Sequence, residues 1–295
     1  MTMTSWRNKA KYHQVDETTK IQYWTNIENL DEEHNQVIVF NYGLVCNVRH
    51  FVYQIDHFEK LGYKILLHDY RGHYKSETTQ GIESITFKNI INDINSLVRA
   101  LNIKTSIHIG HSMGVNVTLD YAHKYPEEVQ KIVLISGTIF PPQDVMFDSN
   151  IIDMTEPYIK ELKDRWKSQF QFIWKNVYRN PLASALVWNG GFNIKKTNIE
   201  FVEYYMKKLG ELSPDIFFQL LDQMRDQKII KELEEIKIPT LIIGGDKDKV
   251  IPNYLQQILH DSLKNSELYI IKNGSHVPQV DFPEFINERI DLFLD

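Results

Sequence analysis

Apolar positions along this chain switch repeatedly between two periods. Continuous β-favouring runs at 37–40, 64–69, 105–110, 131–137, 240–245 and 268–272 alternate with three- and four-residue spacing near 49–61, 86–101, 112–124, 253–263 and 283–294. The runs read as strands buried on both faces, and the spaced segments as amphipathic helices. Their alternation predicts βαβ units around a mostly parallel sheet. Residues 11–15 and 20–27, the latter with Tyr23 and Trp24, add antiparallel strands at the start.

One interval breaks the pattern. About a hundred residues separate Gly137 from Thr240, far more than an ordinary crossover uses. Leu162, Trp166, Phe170, Ile173, Trp174 and Val177 fall at helical spacing over 154–178. Helices over 198–209 and 214–224 follow, the second opened by Ser213-Pro214. The expected organisation is a core of 1–137 and 237–295 with a helical segment, 138–236, inserted. Most aromatic side chains of that segment are expected in its own core, and the remainder along a pocket.

Composition narrows the class. A length of 295 residues with 42% hydrophobic and 12% aromatic content supplies a sizeable core. A mean hydropathy of −0.36 suits a soluble chain. Net charge −6 and pI near 6.0, with no basic stretch interleaved with aromatics, argue against a nucleic-acid surface. The single cysteine, Cys46, excludes an internal disulfide. The start, Met-Thr-Met-Thr-Ser-Trp, has no apolar leader pattern and no run of eighteen apolar residues occurs, so a cytoplasmic protein without a membrane span is expected. No glycine-rich phosphate loop or His/Cys ligand cluster calls for a cofactor or a metal.

Candidate chemistry centres on Gly110-His111-Ser112-Met113-Gly114, set between a strand and a helix. This is the G-x-S-x-G pattern, which forces a serine onto a sharp turn with its hydroxyl exposed. The glycines allow neighbouring backbone closer than a Cβ permits, and the helix that follows points its N–H groups at the serine. The bland alternative is a glycine-flanked serine in a structural turn, which the downstream residues make unattractive. Asp246 and Asp248 follow the run 240–245, and His276 follows the run 268–272. A nucleophilic serine needs a base, and the base needs a carboxylate to orient it. The chain order Ser, Asp, His places each group on a loop after a strand.

With these residues in view, the sequence resembles the α/β-hydrolase superfamily, in its lid-bearing serine hydrolase branch of esterases, lipases and haloperoxidase-like enzymes. The resemblance runs from about Val37 to the C-terminus. It implies an α/β-hydrolase fold, a mostly parallel central sheet flanked by helices, with a helical cap inserted after strand 6. Gly245, Asp248 and Pro252 match the family's acid loop, which makes Asp248 the triad acid and leaves Asp246 to cap or brace the loop. Gly-Ser-His-Val-Pro at 274–278 resembles its histidine loop. The family implies an oxyanion hole from the backbone N–H groups of Leu44 and Met113, with Tyr42 standing where a histidine is common. Asp69 to Ser76 is similar to a D-x-R-G-x-G-x-S loop in which Tyr74 replaces the second glycine; Asp69 and Arg71 are expected to form a structural ion pair.

The implied activity is that of a carboxylic ester hydrolase: Ser112, His276 and Asp248 cleave an acyl ester or thioester through an acyl-enzyme. The expected partner is a small-molecule acyl substrate, and a homodimer is left open. Other outcomes on the same residues are a C–C bond hydrolase, a lactonase, a cofactor-free haloperoxidase-like enzyme or a non-catalytic ligand receptor.

Overall fold

The computed structural model describes residues 5–149 and 151–295. A central sheet runs through it, built from β1 (Lys11–Gln14), β2 (Thr19–Thr25), β3 (Val37–Asn41), β4 (Ile65–His68), β5 (Ser106–His111), β6 (Val129–Ile135), β7 (Thr240–Gly245) and β8 (Ser266–Ile271). The spatial order is β1-β2-β4-β3-β5-β6-β7-β8, with the two-residue strand Glu77–Thr78 paired to β2. β2 is antiparallel to β1 and β4, and every pair from β4 onward is parallel. Burial explains the sequence pattern. β3, β4, β5 and β7 are buried at every position, as parallel strands covered on both faces must be. The outer strand β8 instead alternates, with Glu267 and Tyr269 exposed.

Crossover helices pack on this sheet: α1 (Val52–Lys60), α2 (Phe87–Ala100) and α3 (Met113–Lys124). α2 shows why the spacing reads as a helix. Phe87, Ile90, Ile91, Ile94, Leu97 and Val98 form one buried stripe, and the Thr86 side chain caps its start by accepting from the Asn89 N–H.

Between β6 and β7 the chain is helical: a short Pro142–Val145 turn, then α4 (Ile151–Arg165), α5 (Lys167–Lys175), α6 (Pro181–Gly191), α7 (Ile199–Glu211) and α8 (Pro214–Asp226). The expected helix over 154–178 is therefore two helices. Trp166 leaves the helical region at φ −123° and ψ 47°, and so breaks it. α6 is an addition to the sequence reading. Asn180 starts it by accepting from the N–H groups of Leu182 and Ala183, ahead of Pro181 at the first helical position. α9 (Tyr254–Ser262) and α10 (Pro283–Leu294) complete the chain. No helix among the described residues is long and apolar enough to cross a membrane.

Candidate active site

The loops at the carboxyl ends of β5, β7 and β8 meet in one place. Ser112 sits between β5 and α3 at φ 54° and ψ −123°, a strained conformation for a residue with a side chain. Its N–H donates to the Ile135 carbonyl at 2.9 Å, which ties the turn to β6. Close packing demands the glycines around it. A Cβ on Gly114 would overlap the carbonyl groups of Asn41 and Tyr42, and one on Gly43 would lie 2.9 Å from the Ser112 Cβ.

His276 faces the serine, with Nε2 3.1 Å from Ser112 Oγ and Nδ1 2.9 Å from Asp248 Oδ2. The other Asp248 oxygen accepts from the N–H groups of Val250 and Ile251, both at 2.9 Å, so the carboxylate cannot swing away. Asp246 does something different. Its carboxylate accepts from the Asn273 N–H at 2.6 Å and braces the two loops against each other. The Lys247 N–H joins them again by donating to the Gly274 carbonyl at 2.9 Å. Three of the residues singled out from sequence thus form one hydrogen-bonded chain, Ser112–His276–Asp248.

Several groups that hold this chain were not singled out. Asp281, buried, accepts from the N–H and hydroxyl of Ser275 at 2.8 and 2.6 Å and from Thr197 at 2.6 Å, which pins the histidine loop to the helical segment. Its proton affinity is raised, chiefly by burial. His111 donates from Nε2 to the His276 carbonyl at 2.8 Å. His50 stacks on His111 and is held neutral by burial, which lowers its pKa to about 3. No periodic or spacing signal marks either histidine.

The loop after β3 carries Leu44 to the cavity wall beside Ser112, and Met113 opens α3 directly after it. Tyr42, where a histidine is common in the resemblance, is wholly buried and braced from both ends. Its hydroxyl donates to Asp69 at 3.0 Å and accepts from the Tyr70 N–H at 3.2 Å, while its carbonyl accepts from the Tyr70 hydroxyl at 2.9 Å. Tyr74 takes a left-handed φ of 48° where the related loop has glycine, and its hydroxyl lies 3.1 Å from the carbonyls of both Val45 and Cys46. The two departures therefore sit in one brace. The expected Asp69–Arg71 pair is not present. Arg71 instead makes two hydrogen bonds to Asp93 on α2, at 2.6 and 2.5 Å, because Asp69 is already held by Tyr42.

A cavity of about 410 Å3 opens over Ser112 and His276. Leu44, Val45 and His50 line its floor side, and Ile159, Trp174, Val187, Phe192, Tyr205 and Phe218 line it from the helical segment. The walls are mostly apolar. Glu156 also reaches the wall, but Arg225 at 2.6 Å and Lys160 at 2.8 Å already neutralise it. No group of three or more His, Cys, Asp or Glu side chains among the described residues is placed to hold a metal.

This geometry and topology define an α/β hydrolase. More narrowly, residues 32–281 match the family model described as serine aminopeptidase, S33, and the chain belongs to that family. It is 25% identical over 264 residues to the AB hydrolase superfamily protein YisY of Bacillus subtilis, covering 89% of this chain and 93% of the relative. It is 27% identical over 251 residues to the bifunctional esterase/perhydrolase DCH of Acinetobacter calcoaceticus, covering 84% of each. Some curated relatives are longer, and the chain spans only about half the length of the mammalian ABHD8 proteins it matches. Among solved structures, the bromoperoxidase of Bacillus anthracis superposes with a TM-score of 0.75 at 22% identity, covering 97% of this chain and 99% of that one, a likeness of fold.

Proposed function

We propose that the protein is a serine hydrolase that transfers the acyl group of an ester or thioester to water. The observation that carries this reading is the hydrogen-bonded chain from Ser112 through His276 to Asp248 at the floor of an apolar cavity. Ser112 Oγ attacks the substrate carbonyl carbon as its proton passes to His276 Nε2, and Asp248 steadies the imidazolium through Nδ1. The N–H groups of Met113 and Leu44 receive the negative charge on the carbonyl oxygen. Met113 begins α3, where first-turn N–H groups have no partner within the helix. Removing one oxyanion donor costs roughly 3–4 kcal/mol of barrier in a serine protease of unrelated fold. His276 then protonates the departing alcohol or thiol. Water, deprotonated by the same nitrogen, attacks the acyl-enzyme and releases the acid and free Ser112.

Residues 138–236 act as the cap in this reading, with core residues 1–137 and 237–295 carrying the reacting groups. The cap's apolar inner face favours an uncharged acyl chain of small to medium length, since Glu156 is already paired. The relative named as an esterase/perhydrolase supports ester chemistry. Intact-mass analysis after exposure to a fluorophosphonate tests it. One stoichiometric adduct on the wild type and none on Ser112→Ala is expected; a folded wild type without an adduct overturns the reading in favour of a ligand receptor. A p-nitrophenyl ester panel tests the acyl range, and a rate confined to acetate rules out medium chains.

A further inference from the structure

A second cavity, of about 480 Å3, lies against the segment that follows β3, where Asn47, Val48 and Arg49 line it. Its inner wall is apolar, formed by Trp24 and Leu67 of the sheet, Ile55 of α1, and Val48. Its floor is the buried carboxyl of Asp69, and its mouth carries the exposed cations Arg49 and Lys75. Neither cation has a carboxylate partner among the described residues. Lys208, between the rings of Tyr74 and Tyr204, adds no net charge, because it pairs with Glu211 on the same wall.

We infer that this cavity is a binding site for an amphipathic organic anion, with an apolar body seated on Trp24, Ile55 and Leu67 and a carboxylate or sulfonate head held by Arg49 and Lys75. Charge and shape both select this class. Arg7, also on the wall, is already bound by Asp56 and Glu59, so the unpaired positive charge is concentrated at the mouth. A cationic ligand is disfavoured because it would meet the like charges of Arg49 and Lys75 at the mouth, and the Tyr204 and Tyr74 faces there already carry cations. Arg49 lies 4.3 Å from the Tyr204 ring centroid, and Lys208 lies 4.5 Å from that of Tyr74. A wholly apolar ligand would leave both mouth cations unanswered. The buried carboxylate of the lining, Asp69, opposes the head little, because it is engaged by the Tyr42 hydroxyl. Burial also pushes its pKa up to about 7, which keeps it partly protonated. An occupant that reaches the floor touches the group anchoring Tyr42, one residue before Gly43. The site is thus separate from the cavity over Ser112 yet joined to it through the Tyr42–Asp69 bond and through the Tyr74 hydroxyl, which meets the Val45 and Cys46 carbonyls.

Isothermal titration of the full chain with 2-naphthoate tests the inference. Expected results are saturable one-to-one binding, affinity weakened by about tenfold or more in Arg49→Ala/Lys75→Ala, and similar weakening for the neutral analogue 2-naphthylmethanol. Ile159→Trp, which narrows only the cavity over Ser112, should leave the affinity unchanged, and a thermal melt verifies that each variant is folded. Loss of binding in Ile159→Trp with the double variant unaffected would place the probe over Ser112 and overturn the assignment. Absence of binding by the folded wild type at millimolar probe overturns it equally.

Discussion

The Nε2–H of His111 donates to the backbone carbonyl of His276 at 2.8 Å, so the residue before Ser112 carries the main chain of the histidine that meets it. Burial, reinforced by His276 and His50, holds the His111 pKa well below its ordinary value and keeps the ring neutral. The bond therefore does not depend on a charged ring.

Replacing His111 by leucine leaves the part-buried His276 carbonyl without this donor. The expected cost is about 1–3 kcal/mol of stability, with a fall in ester turnover as His276 loses its fixed position. His111→Gln, which keeps an N–H donor, should recover part of both. Urea denaturation of the two variants measures this, and equal stability of leucine and glutamine variants would show that the bond contributes nothing.

Asp248 and Asp246 stand two residues apart in similar loop sequence but have different partners. Asp248 touches the imidazole, whereas Asp246 touches the Asn273 N–H. Asp248→Asn should lower kcat by roughly 10⁴, as the corresponding change does in a serine protease triad. Asp246→Asn should cost less than about tenfold in rate and appear mainly as loop stability. Steady-state kinetics decide between them, and the reverse ranking would move the acid to Asp246.

How far the sequence reveals such roles depends on the range of the interaction. The sheet was legible because buried parallel strands are continuous apolar runs, as in Val37–Asn41 and Thr240–Gly245. That Ser112, Asp248 and His276 meet was legible because each lies on a loop directly after a β-favouring segment of the sheet. Arg71 was misassigned because its carboxylate, Asp93, sits on a helix twenty-two residues on, with Asp69 much nearer in the chain. α6 escaped because its mixture of small and apolar residues has no clear polar face, although Asn180-Pro181 marked its start. His111 and Asp281 act through backbone and loop contacts that leave no spacing pattern.

Acid sensitivity follows from the buried histidines. Burial lowers the pKa of His50, His68 and His108 to about 3 and of His73 to about 4. Each binds a proton in the unfolded chain below about pH 6.5 but stays neutral when folded, so its contribution to stability is lost as pH falls. Asp69 and Asp120 oppose this. Burial raises them to about 7 and about 6, so the folded state takes up their protons first. His111 is held neutral in the same way, and near pH 5.5 these five histidines outweigh the raised carboxyls, Asp93 and Asp281 included, so stability should fall by roughly 2–4 kcal/mol per pH unit. Urea midpoints between pH 7 and 5 check the slope; a flat profile would mean that these histidines are protonated in the fold.

Tyr42 combines packing and charge, and its truncation to phenylalanine separates them. The hydroxyl is Asp69's hydrogen-bond donor and lowers a carboxyl pKa that burial otherwise raises. Without it the Asp69 pKa rises further. Protonated Asp69 tolerates the loss, whereas ionised Asp69 is left buried and without that donor. The sign follows: a carboxyl whose folded pKa exceeds its unfolded value costs stability as pH rises through the folded pKa. Tyr42→Phe should therefore destabilise more at pH 8 than at pH 6, by about 1 kcal/mol. The same change frees the segment leading to Gly43 and Leu44, so kcat should fall several-fold while KM stays nearly constant, as expected when charge stabilisation rather than substrate binding is lost. Denaturation at the two pH values and steady-state kinetics check both halves. A cost that is independent of pH would mean that the hydroxyl does not govern the charge of Asp69, and an effect confined to KM would remove Tyr42 from the support of the oxyanion loop.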